Sequence, residues 1–369
     1  MSLALVAHYL GPTLGIGQYL DRLLPCVIEE LNNKNVETII LGSPNAVEKT
    51  SALKNLTDKT SILPPLDYSP IKRLLWFSLY FNSYCHQKGI KHIVWLSNPI
   101  ILPWHLPSIG VIHDVNEWKM ENKYGYLKTA LRSLVYLDTS LNCAKQIIAV
   151  SQTTYNDILN FRPNSQLEEK LITIPNGANS SLMNLPPVKI KTPKNPFLLS
   201  VGRIDPYSKN LPQAVNLTKA LREISGENWE LHLIGGMNNS TKKEGESFLK
   251  SIEKNDWVKY HGYLDNKYLA QWYREASAIV FLSNNEGFGF PIAEAASFNK
   301  WSIVSSENQA AFEAGGNSLI PININDSKNS ASKVLQKLKQ EQPQQIQLQT
   351  WETSAKSYAK MIQNLAINY

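Results

Sequence analysis

NNEGFGFPIAEA (residues 284–295) sets Glu286 and Glu294 eight residues apart, around Gly287, Gly289 and Pro291. The preceding AIVFLS (278–283) is a short apolar run that reads as a buried strand. Gly287 and Gly289 permit a tight turn or a close approach of backbone to a ligand. Pro291 suits the first turn of a helix, where a missing N–H is no loss. The reading is a strand–turn–helix corner, with Glu286 on the loop and Glu294 in the first helical turn. Both carboxylates are then expected near one helix N-terminus, a favoured position for a phosphate. The alternative is a capped corner in which Glu294 merely offsets the helix dipole.

The 369 residues suffice for two domains of ordinary size. A hydrophobic content of 43% with 18% charged residues fits sizeable cores. The net charge of +6 is mild and dispersed, which fits a phosphorylated ligand or an anionic surface and does not point to nucleic acid. Cys26, Cys85 and Cys143 lie far apart and outside any Cys-x-x-Cys pattern, as expected of buried, reduced thiols in a cytoplasmic protein. The opening MSLALVAHYLG lacks a basic leader and is too short for a span, and no apolar run elsewhere reaches transmembrane length.

Apolar runs alternate with helical patterns. ALVAHY (4–9) precedes a helix patterned by Tyr19, Leu20, Leu23, Leu24 and Ile28. VETIILG (36–42), KHIVWL (91–96), IGVIHDV (109–115), QIIAVS (146–151) and LITIPNG (171–177) read as strands. MNLPPVKIKTPKNP (183–196), with its prolines and lysines, has the composition of a linker. The alternation then restarts with FLLSVGR (197–203), WELHLIGG (229–236), WVKYHGYL (257–264), SAIVFLS (277–283) and WSIVSS (301–306). KLKQEQPQQIQLQ (337–349) is polar, and an amphipathic helix follows from about Trp351. Continuous apolar strands spaced by helices indicate parallel sheets covered on both faces. The expectation is two Rossmann-like, doubly wound α/β domains, 1–185 and 186–350, and a helix over 351–369. Ligands of such sheets bind outside the carboxyl ends of strands, so the cleft between two facing domains is the expected site.

Phosphate-binding features are present in both halves. GPTLGIGQYL (11–20) is a Gly-rich corner carrying Gly15 and Gly17, but it is not the full dinucleotide fingerprint and no acid ends the second strand. In VGRIDPYSKN (201–210) a strand ends on Arg203 with Lys209 six residues on, a fork and a point charge suited to a pyrophosphate. Solvated loop charges are the plainer alternative. Gly235, in the pair ending the next strand, would let backbone approach a ligand.

The ordered series VGR…K, IGG, HGYL and EGFGFPIAEA resembles the nucleotide-sugar domain of retaining glycosyltransferases of family 4, which have the GT-B fold. Glu286 and Glu294 meet that family's Glu-x7-Glu signature. GIGQY resembles its donor-phosphate loop, IHD places His113 at its active-site histidine, and VSQTT (150–154) and IPNG (174–177) resemble further recurrent stretches. The N-terminal loop departs from the family in reading GIG where a glycine pair is usual. The resemblance implies that Arg203 and Lys209 counter the leaving pyrophosphate and that Glu286 binds hydroxyls of the donor sugar. It implies that Glu294 binds the ribose, that Tyr263 and Leu264 contact the base, and that Phe288, Gly289 and Phe290 offer backbone N–H groups. Gly15 and Gly17 would face the donor phosphate, and His113 would hold a sugar hydroxyl. It further implies a last helix packing back on the first domain and closure of the two domains on the donor, hinged near residue 190 and in the Gln-rich stretch.

The implied reaction transfers a hexose, glucose first, from a UDP-sugar to a hydroxyl of a growing polysaccharide or lipid-linked glycan, with retention on one face. The pattern resembles bacterial, including cyanobacterial, envelope polysaccharide glycosyltransferases. No Asp-x-Asp occurs in the chain, so no metal cofactor is expected and Arg203, Lys209 and helix N-termini would replace a divalent ion. YSPIKRLLWFSLYFNSY (68–84), with Lys72 and Arg73 beside Trp76, Phe77, Tyr80 and Phe81, and KYGYLKTALRSLVYL (123–137) could rest on the inner membrane surface or bury their aromatics in the core. A UDP-sugar epimerase of GT-B fold and a catalytically silent glycan-binding homologue remain as alternatives.

Overall fold

The computed structural model of the chain describes residues 2–8, 15–97, 99–119, 133–178, 181–191, 193–237, 241–339, 343 and 349–367. Most of the Gln-rich stretch before Trp351 and most of 123–137 lie outside the described residues. The chain forms two compact units, 1–177 with 349–369, and 178–348.

The first unit holds β1 (Ser2–Ala7), β2 (Glu37–Gly42), β3 (Thr60–Ile62), β4 (His92–Trp95), β5 (Ser108–Ile112), β6 (Gln146–Ala149) and β7 (Leu171–Thr173). They form one sheet in the order β3-β2-β1-β4-β5-β6-β7. Every pairing in it is parallel. β1, β4 and β5 are almost wholly buried, as both-face coverage of a parallel sheet demands. Helix α1 (Gly15–Asn33) buries Tyr19, Leu20, Leu23, Leu24 and Ile28, the stripe its 3.6-residue period predicts. Helix α2 (Pro70–Leu79) begins on a proline and turns Arg73 and Phe77 inward, while α3 (Phe81–Gln87) buries Phe81 and Cys85. Arg73 Nη1 lies 3.2 Å from His8 Nε2 and donates to the Leu66 carbonyl.

The second unit holds β8 (Phe197–Val201), β9 (Glu230–Ile234), β10 (Val258–Tyr260), β11 (Ala278–Phe281), β12 (Ser302–Ser305) and β13 (Leu319–Ile322). Their order is β10-β9-β8-β11-β12-β13, again with every pairing parallel. The helices that matter below are α4 (Leu211–Ser225), α5 (Asn266–Glu275) and α6 (Phe290–Ser297). The proline-rich segment after 181 lies against this unit. Leu182 is buried in the cluster around Trp272 and Tyr273, Leu185 and Ile190 pack on that cluster, and Arg274 donates to the Met183 and Leu185 carbonyls. A composition that reads as a linker is in fact packed, because leucines and an isoleucine sit among its prolines.

β3 and β13 have no counterpart in the sequence reading. Both are edge strands, β3 with only three residues and Ile62 exposed, and β13 with Pro321 inside it. Proline is admissible in a sheet at an edge, where its missing N–H costs no ladder bond. WVKYHGYL yields only three strand residues, because Gly262 at φ +69° turns the backbone away. All three cysteines are free, but only Cys85 is buried; Cys26 and Cys143 are half-buried, against expectation.

The final helix, α7 (Trp351–Ile367), packs along α1 within the first unit. Tyr19 and Tyr358 join by their hydroxyls at 2.8 Å, and Ser354 Oγ donates to the Pro175 carbonyl at 2.6 Å. A Cβ on Gly177 would come within 2.4 Å of the Trp351 ring and 2.6 Å of its backbone nitrogen. Gly177→Ala therefore overpacks this joint and is expected to cost about 1–3 kcal/mol. Equilibrium urea unfolding checks this, and an unchanged midpoint would mean that Trp351 does not sit against Gly177.

Candidate functional site

In both sheets the winding reverses once, between β1 and β4 and between β8 and β11, and such switch points open a crevice at the carboxyl ends of the strands. In the second unit the loops after β8 and β11 carry the sequence-predicted charges. β8 runs into Gly202 and Arg203, and β11 runs through Ser283 to Glu286. Lys209 stands just before Asn210, the left-handed residue (φ +48°) that precedes α4. Asn210 is tied down by its side-chain amide, which donates to the Leu282 carbonyl at 2.7 Å. That bond links the two switch-point loops.

Lys209 Nζ and Glu286 Oε1 form an ion pair, and the Ser283 hydroxyl also donates to Glu286 Oε1 at 2.6 Å. The lysine ammonium lies 4.9 Å from the centre of the Phe281 ring. Arg203 Nη2 donates to Asp205 Oδ2 at 3.0 Å. Burial would raise the pKa of Asp205, but hydrogen bonds from Ser208 and the charges of Arg203 and Lys209 outweigh it and hold the carboxyl below its ordinary value. Asp205 thus stays ionised and orients the guanidinium. Arg203 Nε is buried and has no hydrogen-bond partner. An unsatisfied buried donor typically costs about 1–3 kcal/mol. Arg203, Lys209, Gly202 and Phe281 line one recess at this strand edge.

Gly235 is fixed by close approach. At φ +149° it sits so near the loop after β8 that an added Cβ would fall 1.8 Å from the Gly202 carbonyl oxygen. Beyond β10, Gly262 makes the turn that leaves Tyr263 exposed and Leu264 partly packed on the core. Phe288 is buried among Ile292, Ala293 and their neighbours, with Phe290 packed against that cluster. Their rings are thus committed to packing, so what Phe288 and Phe290 can offer a ligand is backbone. Gly289, at φ +103°, is the N-cap of α6.

Glu294 departs from expectation. It is the fifth residue of α6, past the first turn, and it is 1% exposed. Its Oε2 accepts from the Tyr273 hydroxyl of α5 at 2.8 Å. Glu286 thus pairs with Lys209 and Glu294 with Tyr273. The sequence reading missed Tyr273, Asp205, Ser283 and Asn210. The Arg-x-Asp spacing in RIDPYSK could have signalled Asp205. Nothing local ties Tyr273 to a carboxylate 21 residues away.

A neutral histidine relay adjoins the Tyr263 turn. His232 Nε2 lies 3.0 Å from Glu230 Oε2, and His232 Nδ1 lies 2.8 Å from His261 Nε2. With Nε2–H of His232 given to the carboxylate, its Nδ1 accepts from Nε2–H of His261. Burial, the neighbouring His232 and Lys259 lower His261 to about 4. Burial also lowers His232, against the pull of Glu230.

In the first unit, Gly15 and Gly17 open α1, with Gly15 exposed and Gly17 buried; the loop before them lies outside the described residues. His113 follows β5. Its Nε2 donates to the Leu96 carbonyl at 2.9 Å, and its ring meets Tyr19 edge-on at 4.6 Å. Burial lowers its pKa, partly offset by Leu96 and Asp114. The neutral ring with Nε2–H presents Nδ1 as an acceptor. Among the described residues no three His, Cys, Asp or Glu side chains converge as a metal-ligand set.

Residues 184–356 match the family described as Glycosyl transferases group 1. The similarity to that family covers most of the second unit and the start of α7. No curated protein matches the chain in sequence. Sucrose-phosphate synthase from Thermosynechococcus elongatus is 18% identical with a TM-score of 0.67, over 100% of this chain and 96% of that one. HepE from Anabaena, solved in complex with UDP-glucose, is 14% identical with a TM-score of 0.64, over 100% and 99%. UDP-GlcNAc 2-epimerase from Methanocaldococcus jannaschii is 13% identical with a TM-score of 0.59, over 99% and 100%. The fold of the chain is GT-B, as the first of these likenesses shows.

Two outcomes follow from the geometry. Tyr273→Phe leaves a buried carboxylate short of a donor and should cost about 1–3 kcal/mol in urea unfolding. A double-mutant cycle with Glu294→Gln should be clearly non-additive, whereas additivity would deny the contact. For the histidine pair the fold holds both rings neutral, while the unfolded chain protonates them near their ordinary value of 6.5. Stability is therefore present above about 6.5 and is lost as pH falls towards about 4. Urea midpoints across that window should fall less steeply for His261→Gln than for the wild type.

Proposed function

We propose that this chain is a retaining glycosyltransferase that moves a hexose, glucose first, from a UDP-sugar to a hydroxyl of a growing polysaccharide or lipid-linked glycan. The observation that carries the reading is the placement of Arg203 and Lys209 at the β8/β11 switch point, with the buried Nε of Arg203 unsatisfied, inside a segment that matches the Glycosyl transferases group 1 family. A leaving nucleoside diphosphate gains negative charge as the sugar–phosphate bond breaks. Preorganised cations stabilise that charge where it develops. An ammonium has three donors, so Lys209 can keep Glu286 while also reaching a phosphate oxygen. Glu286, held by Lys209 and Ser283, is oriented to accept from hydroxyls of the donor sugar.

Glu294, held by the Tyr273 hydroxyl, is assigned the ribose hydroxyls. Tyr263 and Leu264 would meet the base, Gly235 would admit backbone close to the ligand, and the N–H groups of Phe288, Gly289 and Phe290 would serve the phosphate or sugar. In the first unit, Gly15 and Gly17 would face the donor phosphate and Nδ1 of His113 would accept from a sugar hydroxyl. The leaving phosphate would take the acceptor's proton on the same face, which gives retention without a covalent sugar. No divalent metal is required in this reading. The complex of HepE with UDP-glucose supports the choice of first donor. The same fold also occurs in an epimerase, so acceptor dependence is the discriminating test.

The assay follows UDP release and product anomers by NMR, with and without glycan acceptors. Acceptor-dependent release with a retained anomer is expected. Conversion of the UDP-sugar itself without acceptor would favour an epimerase, and an inverted product would overturn the mechanism. Lys209→Ala should lower turnover by about 10²–10³, the scale of one lost oxyanion-type donor. Donor binding should suffer less, because the charge is greatest in the transition state. EDTA should leave the rate unchanged; loss in EDTA with rescue by Mg²⁺ would refute the metal-free route. By calorimetry, Glu294→Ala should weaken UDP itself, while Glu286→Ala should spare UDP and impair the intact donor.

A further inference from the structure

Helix α2 is apolar on both faces. Its inner face turns Phe77 and Arg73 into the first unit. Trp76, Tyr84 and Phe81 belong to or pack on the same core, so these aromatics take the buried alternative. The outward face carries Ile71, Leu75 and Leu79, which are 65%, 55% and 66% exposed. Spaced four apart, they form one stripe along the helix. Exposed Tyr80 and Trp104 continue it, and the Trp104 indole is anchored at the end of α2 by donating to the Ser78 carbonyl at 3.1 Å. A surface helix normally turns polar residues outward, and a contiguous exposed apolar face marks an interaction site.

The charge around the stripe selects the partner. From residue 60 to 113 the sequence has one acid, Asp67, against Lys72, Arg73, Lys88 and Lys91. Oδ2 of Asp67 accepts from the Asn45 backbone N–H at 2.8 Å. Arg73 is buried, while Lys72 on α2 and Lys88 just past α3 are exposed. A second copy of the chain docked on this face would bring no acid from α2 or α3 to pair with Lys72. An anionic surface pairs with those lysines. An apolar stripe edged by lysine, tyrosine and tryptophan is the composition that lies in a membrane interface.

We infer that the outward face of α2 binds the surface of an anionic lipid bilayer, with Ile71, Leu75 and Leu79 entering the acyl boundary and Lys72 among the headgroups. This inference does not depend on the assignment of the donor. The experiment is flotation of the full chain with vesicles of phosphatidylcholine alone and of phosphatidylcholine mixed with phosphatidylglycerol. Wild type should float with the mixed vesicles, and less at high salt. The double variant Leu75→Glu/Leu79→Glu should lower partitioning by at least about tenfold, since two side chains lose their apolar burial. Lys72→Gln should lower it about fivefold on the mixed vesicles only. Circular dichroism and thermal melts of the variants should match wild type, because the changed side chains are exposed, and their thermal shift with UDP-sugar should be unaltered. Equal flotation with both vesicle types, or undiminished flotation of the double variant, would overturn the proposal. So would a wild-type dimer that the double variant splits while neither form floats; that outcome would make this face an interface between copies.

Discussion

Lys209 and Glu286 meet across the two loops that leave β8 and β11, although they are 77 residues apart in the chain. This ion pair exists because β8 and β11 are neighbours in the sheet, with the winding reversing between them. A parallel sheet sends all its strands out at one edge, so loops from neighbouring strands must share space there. The organisation of the second unit's site follows from that crowding. Asn210 bridges the loops to Leu282, Gly235 is confined by the Gly202 carbonyl, and Ser283 shares Glu286 with Lys209. Half-burial lets the pair hold its geometry while remaining able to exchange partners for a ligand anion.

Around this pair the charges are arranged for binding and not for neutrality alone. Arg203 has its own counterion in Asp205, which remains ionised, yet its Nε is left without an acceptor. Glu294 is handled differently: a buried carboxylate held by a buried tyrosine on another helix is a rigid group. One carboxylate is therefore adjustable and the other fixed. The proposed function gives the adjustable carboxylate to the sugar and the fixed one to the ribose. The outward stripe of α2 in the first unit is a separate matter, governed by apolar exposure and by the scarcity of acids near it.

Much of this organisation was legible in the chain as text. The apolar runs located eleven of the strands because buried parallel strands have to be apolar on both faces. The charges at their ends were legible because loops after strands are where charge can be tolerated. β13 escaped because Pro321 reads as a break unless the strand is known to lie at an edge, and edge position is a property of the assembled sheet. Glu294 reads as a first-turn residue because Pro291 suits a later start, whereas Gly289 at positive φ begins the helix at Phe290.

By itself the amino-acid sequence determined the element types, the parallel character of both sheets and the strand ends that carry Arg203, Lys209 and Glu286. These follow from local patterns of hydrophobicity and from the backbone limits of glycine and proline. The tertiary structure alone decided who meets whom: Lys209 with Glu286, Tyr273 with Glu294, His261 with His232, and α7 with α1. It also decided which side of α2 faces outward, turning Arg73 in and Leu75 out. Strand order and helix rotation are set by how whole elements bury their apolar faces together. No window of local sequence contains that sum.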